Sequence, residues 1–390
     1  MMPQQKSTAC RTDPVTTLTT PPSALRALAA RSAEVIAEHQ HVSGAYLASP
    51  TFSVYQFSWF RDGAFIADAM SRAGQLDSAD QFFGWCTRVI AKRAGHITQL
   101  VDRSARGEPI RRDEHLPTRY TVDGDVTGED WWDFQLDGYG TWMFMFVEHH
   151  RRHDVGFAGC APETRTALAL CVDYLCAFWS QPCFDWWEEN VDGVHVSTLA
   201  SIEAGLRAVV SADLIDGDRR ARASQVADDI VVLILADGCA DNHLVKTIGQ
   251  DERVDASLIA AFTPFHTIDA TGETAVNTYR RIADDLAPDG VHRFLGDTYF
   301  GGGRWVVLAG FLGAHEARTG NAGRALERLN WMYQQATPEG LLPEQVTDHS
   351  LDPTFIDEWV ERWGSVATPL LWSHAMYITL ADELGLLDHP

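Results

Sequence analysis

Apolar residues recur along the chain at the three- and four-residue spacing of a helix face. Leu25, Leu28, Ser32, Val35 and Ile36 fall on one face of a first segment, with Ser23 placed to cap it. Leu168, Val172, Leu175, Cys176 and Trp179 form another stripe, and Val226, Ile230, Leu233 and Ile234 a third. Ala322, Leu326, Leu329 and Tyr333 form a fourth, behind Asn321 as its cap. About twelve segments obey this rule, at 23–40, 60–73, 77–93, 134–152, 163–179, 195–211, 218–236, 254–262, 270–286, 303–319, 321–336 and 367–385. Alternating runs of strand type are scarce. The connections are unequal: short near 320, long and aromatic or acidic at 98–132, 180–194, 288–302 and 338–366. Twelve helices joined by alternating short and long loops predict six helical hairpins closed into a ring. That is an all-α, (α/α)6 barrel with the long loops gathered over one end. A helical solenoid would show self-similarity at about 30–45 residues, and none stands out. No break divides 22–390, which reads as a single domain; residues 1–21, rich in Thr, Pro and Gln, read as a flexible N-terminal lead-in.

Charge narrows the partners. A formal net charge of -23 repels nucleic acid and anionic membrane surfaces, and no Lys/Arg cluster offers an anion pocket, so a neutral substrate is expected. Cys10, Cys86, Cys160, Cys171, Cys176, Cys183 and Cys239 are odd in number and contain no CxxC, which reads as free thiols in a reducing compartment. The first residues lack a hydrophobic run of signal-peptide type, and no window of about 18 apolar residues occurs. A cytoplasmic location without membrane insertion is the expectation. Thirteen tryptophans are many. Most are expected in the core, although the apolar face of a sugar ring also stacks on flat aromatic surfaces.

The chemistry-bearing residues cluster at helix ends and in the long loops. The stretches are YQFSWFRDGAF (55–65), GEDWWDFQLDGYG (128–140), FDWWEENVDG (184–193), HRFLGDTYFGGGRW (292–305) and LLPEQVTDHS (341–350). Glu188 and Glu189 follow Trp186 and Trp187 directly. Aromatic desolvation and a neighbouring carboxylate would both raise the pKa of Glu188, as a general acid requires. The same pair also reads as two surface acids at a helix start, favoured by the helix dipole. Arg61 and Asp62 read either as a salt bridge and cap, or as a grip on sugar hydroxyls. Gly301–Gly303 lacks the phosphate-loop pattern and reads as a flexible turn that allows close backbone approach. Asp123–Gly128 mimics the start of a calcium loop, but Phe134 stands where the required acid belongs. Hydrolysis by two carboxylates needs no metal or cofactor, and none is expected. Asp348, Asp352, Asp357, Glu358 and Glu361 compete with Glu344 for any role in the last acidic loop.

Taken in order, these stretches resemble the glycoside hydrolase family of glucoamylases, glucodextranases and isomaltose glucohydrolases, family 15, in its short single-domain bacterial type. YQFSWFRDGAF looks like the family's (Y/F)xWxRDxA segment, GEDWWDFQLDGYG like W..QLDxYG, and DWWEE like DLWEE. RFLGDTYFGGGRW is similar to RYxxDxYxGGxxW, and LLPEQV with PLLWSHA to the base region and last helix. The likeness runs from about residue 40 to 380. It implies the same barrel. It makes Glu188 the general acid, Glu344 the general base, and Glu189 a contact on the leaving-group side. It gives Arg61 and Asp62 to the 4- and 6-hydroxyls of a terminal glucose, and Tyr55 to the attacking water. Trp59, Trp132 and Trp305 become aromatic walls, and Arg293 a donor to a sugar hydroxyl. Trp186 stands where Leu is common, which narrows the pocket, and Phe294 replaces the usual Tyr.

The resemblance implies inversion, with carboxyls roughly 6.5–9.5 Å apart. The expected activity is exo-hydrolysis of small α-glucooligosaccharides, releasing β-D-glucose, with isomaltose the preferred substrate. Maltooligosaccharides and trehalose stand as alternatives, and a sugar phosphorylase, an epimerase or a silent glucoside-binding module as rivals.

Overall fold

The computed structural model describes residues 20–387. The expected lead-in lies outside these residues up to position 19, as does Cys10. Thirteen α-helices run through the described chain: α1 (Pro22–Glu38), α2 (Phe60–Arg72), α3 (Leu76–Lys92), α4 (Ala94–Ala105), α5 (Asp137–Arg152), α6 (Pro162–Phe178), α7 (Val196–Ser211), α8 (Gly217–Asp237), α9 (Glu273–Asp285), α10 (Val306–Arg318), α11 (Ala322–Gln334), α12 (Ile356–Trp363) and α13 (Leu371–Glu383). Three short antiparallel ladders tie loops together. They are β1 (Ser58–Trp59) with β2 (Arg119–Tyr120), β3 (Cys239–Ala240) with β4 (His243–Leu244), and β5 (Arg304–Trp305) with β6 (Gln345–Val346).

Burial sorts the helices into two rings. Every residue from Val306 to Glu316 in α10 and from Leu371 to Ala381 in α13 is buried. A helix buried on all sides belongs to the interior of a larger assembly of helices. By contrast α8 buries only Ala223, Val226, Ala227, Ile230 and Ile234, one stripe of an outer helix. Packing follows: α2, α5, α7, the segment Ala256–Ala261, α10 and α13 touch in that order, and α13 returns to α2. The outer ring is α1, α3, α6, α8, α9 and α11. Outer and inner elements alternate along the sequence, which is the (α/α)6 barrel. Two glycines set one inner contact. A Cβ built on Gly140 of α5 would overlap the Ser201 carbonyl of α7, and one on Gly205 of α7 the Gly140 carbonyl. Only hydrogen at both positions lets these axes approach so closely.

Several expectations need correction. The loops at 98–132 and 338–366 are not free of helix: they hold most of α4 and all of α12. The segment 254–262 is a 3-10 helix, Ala256–Ala261, capped by Asp255, whose side chain accepts from the Ser257 N–H. The fifth helix starts at Asp137 rather than 134, because Phe134 has φ 79° and cannot belong to it. Ser23 does not cap α1; Pro21 does, with Pro22 opening the helix, the position where a missing N–H costs nothing. Asn321 does cap α11, accepting from the Arg324 N–H at 3.3 Å. The face that α11 buries runs through Ala325, Leu329 and Met332 rather than Ala322 and Tyr333.

The layout fixes where a site can form. Each inner helix is entered from a long connection at the same end of the barrel. Trp59, Trp305 and Leu370, the residues just before α2, α10 and α13, line one cavity there.

Candidate active site

The cavity has a volume of about 170 Å³ and is walled by nine of the thirteen tryptophans. Trp59, Trp186, Trp187, Trp305 and Trp372 are also buried in the core, so the expected core-bound majority holds and much of it walls the cavity; Trp85, Trp142, Trp179 and Trp331 pack elsewhere. Tyr55, Trp59, Arg61, Asp62, Trp132, Trp186, Glu188, Glu189, Arg293, Trp305 and Glu344 all line it. The chain thus brings together every candidate singled out in the sequence, from five separate stretches.

Glu188 sits in a tight turn well before α7, so the reading of two acids at a helix start does not describe it. Asp185 shapes the turn, its Oδ1 accepting from the N–H of Trp187 at 3.0 Å and of Glu189 at 2.9 Å. Between these two anchors Glu188 is held at φ 66°. A left-handed glutamate costs of order 1–3 kcal/mol and persists only where its surroundings over-determine it. Its Oε1 accepts from Trp59 Nε1 at 2.7 Å. Burial pushes the carboxyl up to about 7, against Arg61 and the Trp59 donor. Asp62 adds to the rise, and the adjacent Glu189 turns toward Arg293.

Arg61 and Asp62 occupy the first turn of α2. Arg61 Nη1 donates to Gln135 Oε1 at 2.7 Å and to Asp137 Oδ2 at 3.1 Å. Its Nε lies 3.3 Å from Asp62 Oδ2 as an ion pair without hydrogen-bond alignment. Both atoms are therefore buried with an unfilled hydrogen-bonding capacity. Burial lifts the Asp62 carboxyl to about 6, with Arg61 opposing.

Glu344 directly precedes β6. Its N–H donates to the Ala367 carbonyl at 2.9 Å and its carbonyl accepts from the Val306 N–H at 3.2 Å, so its backbone is pinned on both sides. Tyr55 donates to its Oε1 at 3.0 Å, and the Tyr55 and Tyr299 hydroxyls lie 3.0 Å apart. Glu344 Oε2 is buried and has no protein partner. Burial raises this carboxyl to about 7 as well, against the Tyr55 hydrogen bond and the Arg293 charge. The competing acids lie off the cavity. Asp348 pairs with Arg304 at 2.9 Å, Asp352 accepts from Thr354, and Asp357, Glu358 and Glu361 point to solvent.

Arg293 is paired with two carboxylates. It donates to Asp297 Oδ2 at 2.7 Å and to Glu189 Oε1 at 3.0 Å, with the rings of Trp187 and Trp305 each 5.3 Å from its guanidinium carbon. Phe294 points elsewhere, over Lys246 at 4.1 Å. The three glycines 301–303 are not a loose turn. Gly301 and Gly302 accept from the Asp352 and Leu351 N–H groups and seat the segment that leads into α12. Trp359 and Trp363 of α12 then reach the cavity, and Trp363 lies 5.7 Å from Trp131 and 6.1 Å from Trp132.

Sequence reading missed Trp131, Trp187, Tyr299, Trp359, Trp363 and Trp372 as lining residues. The first three and Trp372 sit inside stretches already singled out. The α12 pair carried its own signal, since Ile356, Trp359, Val360 and Trp363 follow helical spacing.

Unpartnered polar atoms cluster here: Asp62 Oδ2 and Glu344 Oε2 as acceptors, and Arg61 Nε with the indole N–H of Trp131, Trp186, Trp305 and Trp372 as donors. Buried polar groups are otherwise almost always satisfied. Flat aromatic walls with spare donors and acceptors match a polyhydroxylated ring, and two buried carboxyls supply acid–base chemistry.

Known proteins agree with this geometry. Residues 22–315 match the family described as Glycosyl hydrolases family 15. An isomaltose glucohydrolase from Kribbella flavida is 46% identical over 366 residues, 93% of this chain and 94% of that protein. A glycosidase variant solved in complex with glucose aligns with a TM-score of 0.90 at 44% identity, over 94% of this chain and 98% of its own. A bacterial glucoamylase complexed with acarbose shares the fold, with a TM-score of 0.71 at 19% identity over 92% of this chain and 55% of its own. A barrel whose inner-helix entrances converge on a tryptophan-lined, two-carboxyl cavity thus comes with a family match over most of its length, and the chain belongs to the glycosyl hydrolases of family 15.

Proposed function

We propose that the chain hydrolyses isomaltose and short isomaltooligosaccharides from the non-reducing end, with inversion, releasing β-D-glucose. The observation that carries the reading is the pair of buried carboxyls on one cavity, each with a different hydrogen-bonded neighbour. Glu188 protonates the glycosidic oxygen as the bond from that oxygen to the anomeric carbon breaks. Glu344 Oε2 takes a proton from water as the water oxygen bonds to the anomeric carbon from the opposite face. Tyr55 holds the other oxygen of Glu344 and so orients the free one. Arg61 and Asp62 take the hydroxyls of the terminal glucose, which makes the action exo. Trp59, Trp132, Trp186 and Trp305 form the walls, and Glu189 with Arg293 meets the leaving sugar. The Kribbella flavida relative favours the α-1,6 linkage over α-1,4 or trehalose.

The cations of the cavity disfavour phosphorolysis. Arg61 is held by Asp62 and Asp137, and Arg293 by Glu189 and Asp297, which leaves neither charge for inorganic phosphate. A net charge of -23 supports a neutral saccharide partner and none of nucleic acid type. No helix among the described residues is long and apolar enough to cross a membrane. The described cysteines are all free, which supports a cytoplasmic setting fed by imported sugars.

Proton NMR of fresh reactions with isomaltose, maltose and trehalose tests the reading. Early β-glucose, fastest from isomaltose, is the expected result. Early α-glucose would overturn inversion and both carboxyl roles, and glucose from none of the three would leave a binding module.

A further inference from the structure

Beneath the acid turn lies a buried ion triad that the reaction itself does not use. Lys246 Nζ lies 3.0 Å from Asp185 Oδ2 and also contacts Asp255 Oδ2, and all three side chains are at most 3% exposed. Asp185 grips the backbone on both sides of Glu188, and its Oδ2 accepts from Asn190 Nδ2 at 3.2 Å. Asp255 accepts from the indole N–H of Trp187 at 2.8 Å, and from the N–H and hydroxyl of Ser257 at 2.8 and 2.7 Å. Lys246 comes from a different part of the chain, just after β4, where its N–H donates to the Arg253 carbonyl at 2.9 Å. Phe294 closes over its ammonium group.

Two buried carboxylates around one ammonium are stable only as a set. Removing the central charge leaves like charges facing each other without water. The turn they support holds Glu188 in a left-handed conformation that it would not keep unaided. We propose that Lys246, bridging Asp185 and Asp255, is a positioning residue that holds the Glu188 carboxyl and the Trp187 wall in register for protonation of the leaving group. The inference rests on the reading of Glu188 as the general acid. The Asp185 carboxyl is held below its usual range: burial opposes its charge, and Lys246, His195 and the Glu189 N–H together outweigh it. An ionised Asp185 is the acceptor that the Trp187 and Glu189 N–H groups require.

The test uses two substrates that differ in their need for an acid. Isomaltose expels glucose through its 6-oxygen, a poor leaving group that needs the proton; α-D-glucosyl fluoride expels fluoride and does not. Both require Glu344 and the attacking water. Lys246→Met is expected to lower kcat on isomaltose by about 10²-fold, the lower range of acid catalysis, with kcat on the fluoride within a few-fold of wild type. Its basic pH limb on isomaltose should move as well. Asp255→Asn keeps the shape of the triad and serves if Lys246→Met does not fold; the same selective loss, smaller, is expected. Equal losses on both substrates, or none on either, would overturn the proposal. Glu188→Gln run alongside separates the two ideas. If Glu188→Gln spares the fluoride and the triad variants do not, only the role of Lys246 falls. If Glu188→Gln loses both substrates equally, the assignment of the acid falls first.

Discussion

At the scale of single residues, Glu188 and Glu344 carry opposite demands in similar surroundings. The proposed mechanism needs Glu188 protonated and Glu344 ionised. Burial pushes each to about 7, so the productive form is lost as pH rises through the Glu188 value and as it falls through the Glu344 value. A narrow bell in kcat/KM centred near neutrality is expected, with apparent limbs that belong to the pair; a plateau spanning pH 5 to 9 would contradict it. Stability runs the other way from activity. A carboxyl whose folded pKa is raised stabilises the fold most when protonated, and that contribution is lost as pH climbs from about 4.5 to about 7. Glu344→Gln is expected to cut turnover by at least 10²-fold. It should also raise the melting temperature at pH 8, by a free energy on the order of 3 kcal/mol at most, and by little at pH 4. Calorimetry at the two pH values decides this: a variant less stable than wild type at pH 8 would mean that Glu344 is not strained by its burial. How much of this was legible beforehand differs by residue. The two glutamates stand out in the sequence because Trp-Trp-Glu-Glu and Pro-Glu-Gln match family segments. Burial, the main cause of the Glu188 shift, was readable from the flanking tryptophans; the lesser push from Asp62 was not, because Asp62 approaches it only through the fold.

At the scale of elements, helices that pack into the core were readable, while α4, lying outside against α6, and α12, beside the cavity, were not. The alternation of outer and inner elements follows from apolar periodicity, since each core helix must bury a stripe or its whole surface. The α4 helix buries only Ile97 and Leu100 fully, and α12 no residue fully, so neither leaves a strong core signature. Yet α12 supplies Trp359 and Trp363 to the cavity rim, docked through Trp359 Nε1 on the Thr298 carbonyl at 2.9 Å. Trp363→Ala removes ring contacts with Trp131 and Trp132 that are each worth about 0.5–1.5 kcal/mol. The expected result is a KM for isomaltose raised about 3- to 10-fold with kcat nearly unchanged, the mark of lost uniform binding. A fall in kcat with constant KM would instead place Trp363 in the chemical step. Gly302 tests the docking of the same element from the other side. It sits at φ 69°, and a Cβ there would overlap the Asp297 carbonyl. Gly302→Ala should therefore loosen α12 and expose it to proteolysis before the barrel melts; a variant as protease-resistant as wild type would show that α12 is held by its tryptophans alone.

At the scale of the whole molecule, closure of the inner ring makes the site and the fold one cooperative object. The cavity takes residues from before α2, before α7, before α10 and before α13, so no portion of the chain holds a complete site. The tightest point of the ring is the crossing of α5 and α7, where Gly140 and Gly205 meet backbone to backbone. Gly205→Ala puts a methyl group where the Gly140 carbonyl stands. Backbone cannot rotate out of the way as a side chain would, so the helix axes must separate, at a cost of about 1–3 kcal/mol or more. Separation moves the start of α5, which carries Asp137, and Asp137 holds Arg61 at 3.1 Å. Arg61 in turn tempers the Glu188 carboxyl. A substitution far from the cavity is thus expected to lower the melting temperature and also to raise the KM for isomaltose, if Arg61 grips the terminal glucose as proposed. Gly84→Ala, on the outer helix α3 where a Cβ meets only a flexible arginine tip at 3.4 Å, is the control and should change neither. If Gly205→Ala melts earlier but binds isomaltose as tightly as wild type, the ring transmits no strain to the site, and its closure serves stability alone.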